Sequence, residues 1–512
     1  MSAPYYARPP VALPQDSCAD FLSKLLPSCG ERTALMFGDR SLSYCELAAI
    51  VASFRQRLSK VGLAKGSRLA VAMPTSPEQI ALMLAAFHLG VIVVPFYDSA
   101  PAAEIRAKCV AAAVDALAVD ATAAEGHKDT LAGLAGAPFL LKIADVEPVG
   151  DPRGGEMSAT VRPDDLAFMP FSSGSTGEPK LILLSHRNVL ASRLLFAEAT
   201  HLASSSVLVH FLPLAHVYGW MALTAALGRG AKVVLHQRYD FDHIAADIAR
   251  HKATAIFAVS QVILDLSRAD DKAARQISSL KWINTGAAPL APAIIEEVAT
   301  RYGLPITTGY GLTEAAPVAH SAVERLDLID VATVGFAAPN TCLRLVDPED
   351  PERPPPVGRA GELVVSGPQV ALGYRFADGQ LDRGAWLADG ALRTGDLAEF
   401  DRLGRVKIVG RLKNIIKYKG YSVAPAELEA ILAAHPGVGD CVVIGKPDIE
   451  AGEIPVAFVV TRGEPRPSAD DLVRHVRQHV APQRCVREVV LVDAIPRSGT
   501  GKPLPQKLLS LV

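Results

Sequence analysis

The sequence predicts an α/β protein with a separate, smaller α+β domain at its C-terminal end. Three observations support this. The chain has 512 residues, too many for a single core. Helical and strand patterns alternate over roughly the first 410 residues, which is typical of βα units and largely parallel sheets. A compact tail of about a hundred residues, a typical domain size, follows.

The N-terminal elements alternate along the chain in a regular order. Residues 43–61 have helical periodicity, 67–73 are strand-like and 76–90 are helical again. The apolar run 81–96 is predicted to be a buried helix that passes into a strand. It is too short to cross a bilayer. Further on, a strand over 231–235, a helix over 242–251 and a strand over 254–259 continue the pattern.

The character of the sequence changes between residues 335 and 409, where short strands are separated by Gly and Pro. The tail then contains predicted helices over 425–435 and 468–480, and strands over 441–445, 455–461 and 488–491. We therefore expect two domains, 1–411 and 412–512, with the junction at Lys413.

Composition limits the function classes. The net charge of −2 gives no electrostatic case for binding nucleic acid or anionic membranes. Seven scattered cysteines without a CxxC pair argue against a disulfide framework or a structural zinc site, and they suit a reducing compartment. The first residues carry no apolar signal core, so a cytoplasmic location is expected. Partners are therefore to be sought in a pocket.

The most informative motif is the stretch 171–180, Phe-Ser-Ser-Gly-Ser-Thr-Gly-Glu-Pro-Lys. It lies between two predicted strands, 165–170 and 181–184, so we expect the loop to turn at the edge of a sheet. Its glycines let the backbone approach a ligand, and its N–H and hydroxyl groups can surround an anion. A flexible hairpin is the alternative. It is not the common P-loop, because Leu181 rather than Ser or Thr follows Lys180. The candidate polyphosphate ligands are Ser172, Ser173, Gly174, Ser175, Thr176, Gly177 and Lys180.

A second candidate segment, 307–314, follows a predicted strand. Gly309 and Gly311 leave the backbone open on both sides of Tyr310, whose ring can stack on a base. Thr313 offers a hydroxyl to a phosphate, and Glu314 offers a carboxylate to Mg²⁺. A turn with a structural tyrosine is the alternative.

Asp396 follows a strand-like segment, 390–393, in the sequence Thr-Gly-Asp. A carboxylate in such a place can accept hydrogen bonds from both ribose hydroxyls. Gly-Asp is also ordinary turn chemistry, so this motif is weak alone.

Three further candidates have plain alternatives. The basic run 410–421 coincides with the predicted domain junction, where ligand sites concentrate, although such runs are usually solvated faces. His216 lies in an apolar stretch, where a lone histidine is more often a core residue. Lys502 lies in a Gly-rich turn ten residues before the C-terminus, where a lysine normally serves solubility.

The order of these motifs resembles the adenylate-forming superfamily of acyl- and aryl-CoA synthetases, luciferases and peptide-synthetase adenylation domains. The resemblance spans about residues 31–507, and the segment 412–429 looks most like 4-coumarate–CoA ligases and luciferases. It implies a distorted β-barrel subdomain in the large domain and a mobile C-terminal domain. Its motifs are 172–180, 310–314, 394–396, 410–417 and 499–502.

The resemblance implies an acid–CoA ligase with ATP, Mg²⁺ and coenzyme A. A carboxylate attacks the α-phosphate of ATP to give acyl-AMP and pyrophosphate, and the thiol of coenzyme A then displaces AMP. An enzyme that loads a carrier protein and an inactive nucleotide-binding scaffold remain the alternatives. A scaffold is disfavoured because Glu314, Asp396, Arg411 and Lys502 are all retained.

The same resemblance assigns roles on the nucleotide side. The loop 172–180 would hold the β- and γ-phosphates, Glu314 the Mg²⁺, and Thr313 the α-phosphate. Tyr310 would stack on adenine beside residues 286–288, and Asp396 and Arg411 would bind ribose. Lys502 would bridge carboxylate and phosphate oxygens. The nucleotide set also includes Gly286, Ala287, Ala288, Gly309 and Gly311.

The resemblance also implies a pocket for the acid and a rotation of the tail domain before the second step. The tail domain would turn about Lys413, withdrawing Lys502 and bringing Lys417 to the acyl-AMP. Coenzyme A would contact Lys419, Gly420 and Tyr421. The acid pocket would be lined by His216, Trp220, Val259, Gly286, Ala288, Gly309, Ala316 and Val318.

Four positions depart from the family pattern: Leu181, Ser260, Thr308 and Ser422. None removes a charged catalytic group, so they bear on the second step and on acid selectivity. Residues 211–228 contain no Asp or Glu to receive an α-ammonium group, which argues against amino-acid substrates. The acid is expected to be hydrophobic: an aryl, polycyclic or fatty acid.

Overall fold

The computed structural model describes residues 8–132, 139–144, 161–172, 180–286, 290, 292–356, 358–419, 421–497 and 503–511. Strands and helices alternate through the N-terminal part and two largely parallel sheets form there, so the predicted fold class is confirmed. The helices, numbered along the chain, are α1 (Cys18–Ser28), α2 (Tyr44–Lys60), α3 (Pro77–His88), α4 (Ala102–Ala112), α5 (His186–Ala199), α6 (Val217–Gly228), α7 (Phe241–His251), α8 (Ser260–Arg268), α9 (Asp271–Gln276), α10 (Pro292–Tyr302), α11 (Pro425–Ala433), α12 (Ala469–Arg477) and α13 (Pro505–Leu509).

A nine-stranded sheet forms the centre of the N-terminal part of the chain, in the order β16-β15-β14-β13-β12-β10-β11-β1-β2. The strands from β14 to β1 along this order pair in parallel, as βα connections require. Its strands are β1 (Thr33–Phe37), β2 (Arg40–Ser43), β10 (Val207–His210), β11 (Lys232–Leu235), β12 (Ala255–Ala258), β13 (Trp282–Thr285), β14 (Ile306–Leu312), β15 (Ala315–His320) and β16 (Phe336–Ala337).

A six-stranded sheet, in the order β6-β5-β3-β4-β7-β9, packs with helices against the same core. Helix α3 is buried along most of its length between the layers, and Ser76 caps its first turn. The strands are β3 (Arg68–Ala72), β4 (Ile92–Pro95), β5 (Ala116–Asp120), β6 (Phe139–Ile143), β7 (Leu166–Phe168) and β9 (Leu184–Ser185).

Two small antiparallel sheets lie in the region where the sequence predicted short strands. One is β17-β18-β21-β22 and the other is β20-β19-β8. The strands are β8 (Leu181–Ile182), β17 (Cys342–Val346), β18 (Gly361–Ser366), β19 (Tyr374–Arg375), β20 (Leu381–Asp382), β21 (Leu392–Phe400) and β22 (Val406–Arg411).

The C-terminal residues form a five-stranded sheet with its own hydrophobic clusters. Helices α11 and α12 pack on this sheet, as the alternation of the tail predicted. Its strands are β23 (Ile416–Tyr418), β24 (Tyr421–Val423), β25 (Val438–Asp448), β26 (Gly452–Thr461) and β27 (Glu488–Leu491).

Three local predictions were wrong. Segment 181–184 is not one strand: β8 pairs with β19 and β9 pairs with β7, so the chain changes sheet at Leu183. Asp396 does not follow a strand but lies within β21, opposite Arg411 of β22. Residues 307–312 belong to β14 rather than to a turn after it, because they pair with β13 on one side and β15 on the other.

Candidate active site

Two predicted glycines lie close together, Gly286 directly after β13 and Gly309 in the middle of β14. A Cβ atom at Gly286 would lie 3.2 Å from the carbonyl oxygen of Gly309, and one at Gly309 would lie 3.1 Å from the His320 ring. A larger side chain at Gly286 would therefore press on the backbone of β14, and one at Gly309 would press on His320 of β15. Of the neighbouring predicted residues, Ala287 and Ala288 lie outside the described residues.

Tyr310, Asp396 and Arg411 form one hydrogen-bonded cluster. The Tyr310 hydroxyl donates to Asp396 Oδ2 at 2.6 Å, and Arg411 donates from Nε to Oδ1 at 2.5 Å and from a terminal nitrogen to Oδ2 at 3.0 Å. The Asp396 side chain is 5% exposed. Burial and the adjacent Asp396 carboxylate raise the pKa of Tyr310. The hydrogen bond to Asp396 raises the pKa of Arg411. The cluster is thus ordered before a nucleotide enters.

Glu314 is held by a residue that the sequence analysis missed. The Tyr374 hydroxyl donates to Glu314 Oε1 at 2.8 Å. Among the described residues, nothing donates a hydrogen bond to Oε2. A carboxylate fixed on one oxygen and open on the other suits Mg²⁺, which accepts few protein oxygens and keeps water or phosphate oxygens as its other ligands. Gly311 lies nearby, where a Cβ would be 3.3 Å from that of Ala316.

Lys180 occupies a cage of one carboxylate and two rings. Its ammonium is 3.3 Å from Asp382 Oδ2 and lies 5.3 Å and 4.8 Å from the ring centroids of Tyr374 and Phe376. Neither Asp382 nor the rings were predicted. The Gly384 backbone N–H and Lys180 together hold the pKa of Asp382 below its usual range.

The base of the predicted polyphosphate loop is a short antiparallel pair. Phe171 bridges Leu181, and the Ser172 N–H donates to the Lys180 carbonyl at 2.8 Å. The loop therefore leaves the edge of a sheet, as predicted. Its inner positions, Ser173, Gly174, Ser175, Thr176 and Gly177, lie outside the described residues.

The predicted acid side is built largely from helix α6 and strand β15. His216 is the N-cap of α6, and its Nδ1 accepts from the Tyr218 N–H at 3.2 Å. Trp220 is 2% exposed and stacks on Phe168 with a centroid distance of 6.3 Å. Ala316 is 6% exposed, and Val318 is fully buried. Val259, partly buried, is the N-cap residue of α8.

A buried hydrogen-bond chain that the sequence did not reveal runs beside this pocket. The Tyr218 hydroxyl donates to Asn284 Oδ1 at 3.0 Å, and Asn284 Nδ2 lies 2.8 Å from His320 Nε2. His320 Nδ1 lies 2.8 Å from the Ser321 carbonyl, which fixes Nδ1 as the protonated nitrogen. Burial lowers the pKa of His320 to about 3, so the ring is neutral.

The predicted second-step residues lie around β23. Lys413 is in a 3₁₀ turn, Leu412–Asn414, and partial burial beside the Arg411 guanidinium lowers its pKa. The Lys417 N–H donates to Glu453 at 2.8 Å. Lys419 has a positive φ of 47°, and Tyr421 is 52% exposed. Gly420 lies outside the described residues.

Lys502 also lies outside the described residues. The segment that carries it is closed by a bridge between Arg497 and Pro503, and Arg497 is anchored on both carboxylate oxygens of Asp440 at 2.9 Å. Asp440 belongs to β25, so the ends of this segment are attached to the C-terminal sheet.

The family departures are accommodated by ordinary packing. Leu181 is fully buried in β8, and Ser260 is 2% exposed at the first turn of α8. The Thr308 hydroxyl lies 2.7 Å from the Thr333 carbonyl and 2.9 Å from Ser321 Oγ. The side chain of Ser422 is outside the described set.

Over the described ranges, no group of three or more His, Cys, Asp or Glu side chains could hold a metal ion by itself. Any Mg²⁺ on Glu314 must therefore take most of its ligands from elsewhere. In the same part of the chain, no helix has the length and apolar character needed to cross a membrane.

Comparison with known sequences identifies the family. The sequence model of the AMP-binding enzyme family matches residues 27–375, and that of the AMP-binding enzyme C-terminal domain matches residues 427–502. The chain belongs to the AMP-binding enzyme family. Its predicted place in the adenylate-forming superfamily is thereby confirmed, and so is the prediction of an AMP-forming acid–thiol ligase at the level of class.

Several named relatives of this AMP-binding enzyme are CoA ligases. The chain is 34% identical to 4-coumarate–CoA ligase-like 6 of Arabidopsis thaliana, over 91% of this chain and 85% of the relative. It is 31% identical to peroxisomal OPC-8:0-CoA ligase 1 of the same plant, over 99% of this chain and 96% of the relative. Because that relative is peroxisomal, the cytoplasmic location stays a prediction.

Among solved structures, ATP-bound MatB from Rhodopseudomonas palustris superimposes with a TM-score of 0.88. It is 25% identical, and the match covers 96% of this chain and 98% of MatB. The arrangement of sheets described above is therefore that of an adenylate-forming enzyme.

Proposed function

We propose that this AMP-binding enzyme activates a hydrophobic carboxylic acid with ATP and transfers the acyl group to coenzyme A. The observation that carries the proposal is the cluster of Tyr310, Asp396 and Arg411, with Glu314 fixed beside it by Tyr374. It combines a ring able to stack on a base, a buried carboxylate for a ribose and a carboxylate open to Mg²⁺.

The first half-reaction needs charge neutralisation and alignment more than proton transfer. A carboxylate is already ionised at neutral pH and can attack the α-phosphorus directly. Thr313 and Lys502 would receive the charge that develops there, and Lys180 with the loop 172–180 would hold the departing pyrophosphate. Mg²⁺ on Glu314 would neutralise phosphate charge when bound.

The second half-reaction would use the other domain. We take the domains as 1–411 and 412–512, joined at Lys413, whose side chain stands next to Arg411 of the nucleotide cluster. Rotation about this residue would withdraw Lys502 and present Lys417 and the face formed by Lys419, Gly420 and Tyr421 to coenzyme A. Bond making is then simple: the thiol sulfur attacks the acyl carbon, and AMP leaves.

The acid side supports a hydrophobic substrate. Residues 211–228 carry no Asp or Glu, and the pocket region contains the rings of Trp220, Tyr218 and Phe257. An aryl, polycyclic or fatty acid fits such a lining, whereas an α-ammonium group would be buried without a counter-charge.

The test is a screen of these acids for acid-dependent exchange between pyrophosphate and ATP, followed by addition of coenzyme A. The proposal expects exchange with a subset of the acids and a CoA thioester with AMP as products. If exchange occurs without a CoA thioester and a phosphopantetheinyl carrier protein is acylated, the acyl acceptor is the carrier protein rather than coenzyme A. Absence of exchange with every acid would contradict the function.

Lys502→Ala tests whether Lys502 is needed for acyl-AMP formation but not for thioester formation. The variant should lose acyl-AMP formation but still convert synthetic acyl-AMP and coenzyme A to thioester, because the lysine is needed only while the carboxylate attacks. Equal loss of both steps in a folded variant would contradict this role. The exposed Lys407→Ala serves as the matched control and should leave both steps unchanged.

A further inference from the structure

Tyr374 contacts two residues to which the predicted chemistry gives separate roles. Its hydroxyl donates to Oε1 of Glu314, the predicted Mg²⁺ ligand, at 2.8 Å. Its ring centroid lies 5.3 Å from the ammonium of Lys180, the predicted phosphate ligand. One side chain therefore contacts both the residue that would hold the metal ion and the residue that would hold the phosphates.

The small sheet β20-β19-β8 explains why these groups meet. Tyr374 of β19 pairs with Ile182 of β8 on one side and with Asp382 of β20 on the other. Because side chains alternate between the two faces of a strand, Lys180, two residues before Ile182, lies on the same face as Tyr374. Phe376, two residues after Tyr374, lies there too. The contacts agree: the Lys180 ammonium is 4.8 Å from the Phe376 ring centroid and 3.3 Å from Asp382 Oδ2.

The ring of Tyr374 is held by a second aromatic residue. Trp386 packs edge-on against it, with 5.1 Å between the ring centroids. Trp386 Nε1 donates to the Ala371 carbonyl at 3.0 Å, and the Ala371 N–H donates to the Glu314 carbonyl at 2.8 Å. Tyr374 is thus connected to Glu314 twice, directly through its hydroxyl and indirectly through Trp386 and Ala371, and both connections restrict the position of its ring beside Lys180.

The rings around Lys180 act on it differently from the carboxylate of Asp382. A carboxylate neutralises the ammonium and so opposes its use by a phosphate. An aromatic face attracts a cation without carrying a net charge, so it can keep the ammonium in place while a phosphate binds from another side. The rings of Tyr374 and Phe376 should therefore support phosphate binding by Lys180, whereas Asp382 should weaken it.

We propose that Tyr374 is a positioning residue with two separable roles in ATP binding. Its hydroxyl orients Glu314 for Mg²⁺, and its ring orients Lys180 for the phosphates. The inference rests on the proposed function and adds to it the residue that joins the metal ligand to the phosphate ligand. The two roles can be removed one at a time, because phenylalanine at this position keeps the ring and loses the hydroxyl, whereas leucine loses both.

The test is titration calorimetry of ATP binding to the full chain without any acid substrate, so that no acyl-AMP forms. Each protein is titrated once with excess Mg²⁺ and once with EDTA, and the wild type should bind ATP more tightly with Mg²⁺. Tyr374→Phe should lose about three- to tenfold of this Mg²⁺-dependent gain and keep the affinity measured with EDTA. Tyr374→Leu should lose the same gain and also bind ATP about two- to fivefold more weakly with EDTA.

Two further variants are matched to these changes. Phe376→Leu removes the second ring beside Lys180 and leaves the Tyr374 hydroxyl, so it should weaken ATP binding with EDTA and keep the Mg²⁺-dependent gain. Tyr239→Phe removes a hydroxyl that donates to Asp265 Oδ2 at 2.7 Å on helix α8, and it should match the wild type in both titrations. Thermal unfolding checks that each variant is folded, and Tyr374→Met replaces Tyr374→Leu if the leucine variant is not.

Failure of the proposed function and failure of this inference give different results. If the wild type binds no ATP, both are overturned. If the wild type binds ATP equally well with Mg²⁺ and with EDTA, the metal role of Glu314 is wrong and the inference falls with it. If the wild type gains affinity from Mg²⁺ and Tyr374→Phe gains as much within twofold, the inference alone is overturned. Equal affinities of Tyr374→Phe and Tyr374→Leu with EDTA would overturn the role of the ring.

Discussion

The nucleotide side and the acid side of the candidate site are held in different ways. On the nucleotide side, Asp396, Arg411 and Glu314 are fixed by charged and phenolic hydrogen bonds across neighbouring strands. On the acid side, Trp220 and Phe168 are fixed by ring packing. The predicted nucleotide contacts are thus held by polar hydrogen bonds, whereas the predicted acid pocket is held by the packing of aromatic rings.

This difference explains where mutations should act. Removing one member of a buried charged cluster leaves the others unpaired, which is expensive. Changing a packed ring alters the volume and shape of the pocket, which is less costly and more selective. Damage on the nucleotide side should therefore affect all acids, and damage on the acid side should change the ranking of acids.

Asp396→Ala should have the largest effect. Tyr310 and Arg411 would both lose their partner, and the predicted ribose contact would disappear, so acid-dependent exchange should fall about 100- to 1,000-fold for every acid. Asp389→Ala, which breaks a half-exposed ion pair with Arg344, is the control and should stay within about twofold. If Asp396→Ala changed the ranking of the acids instead of lowering exchange for all of them, the nucleotide side would not act independently of the acid.

Glu314→Gln should come next. The amide keeps the shape and removes the charge that would attract Mg²⁺, so exchange should fall about 100-fold and recover partly as the Mg²⁺ concentration rises. Tyr374→Phe keeps the carboxylate and removes only the hydroxyl donor, and a loss of about three- to tenfold is expected. A Glu314→Gln enzyme indifferent to Mg²⁺ concentration would exclude this ligand role.

Buried histidines should make the fold sensitive to acid. Burial lowers the pKa of His210 to about 4 and that of His320 to about 3, below the unfolded value of about 6.5. Each therefore stabilises the fold above pH 6.5, and that contribution is lost as pH falls towards the folded values. Unfolding in urea at pH 7 and pH 5 should differ by about 2 kcal/mol per histidine.

His320→Gln should make this pH dependence shallower. The same substitution at the exposed His243 should leave it unchanged. An identical pH dependence in the wild type and in a folded His320→Gln variant would show that this ring is not responsible.

Asp382→Asn should have the smallest effect. If Lys180 binds phosphate as predicted, Asp382 would compete for it. Both side chains of the ion pair are about a quarter exposed, so its energy is small. Freeing Lys180 should lower the KM for ATP about two- to fivefold without altering acid preference. A raised KM would mean that Asp382 positions the lysine instead.

The sequence indicated which residues would form the Tyr310–Asp396–Arg411 cluster better than it indicated the side chains that support the site. Tyr310, Asp396 and Arg411 lie in motifs that predict nucleotide binding, and the structure brings the three side chains into one hydrogen-bonded cluster. Tyr374 and Asn284 carry no local signal, because their partners Glu314 and His320 are separated from them by 60 and 36 residues. The change of sheet within segment 181–184 could not be predicted either, because four consecutive apolar residues do not show which sheet each residue will join.

The most direct test of acid activation uses an acid whose carboxylate oxygens are labelled with ¹⁸O, incubated with the enzyme, ATP and coenzyme A. Attack of the carboxylate on the α-phosphorus, followed by thiolysis, leaves one carboxylate oxygen on the nucleotide. Mass spectrometry should therefore find one ¹⁸O in AMP and unlabelled pyrophosphate. Unlabelled AMP, or ADP with labelled phosphate, would contradict the proposed chemistry.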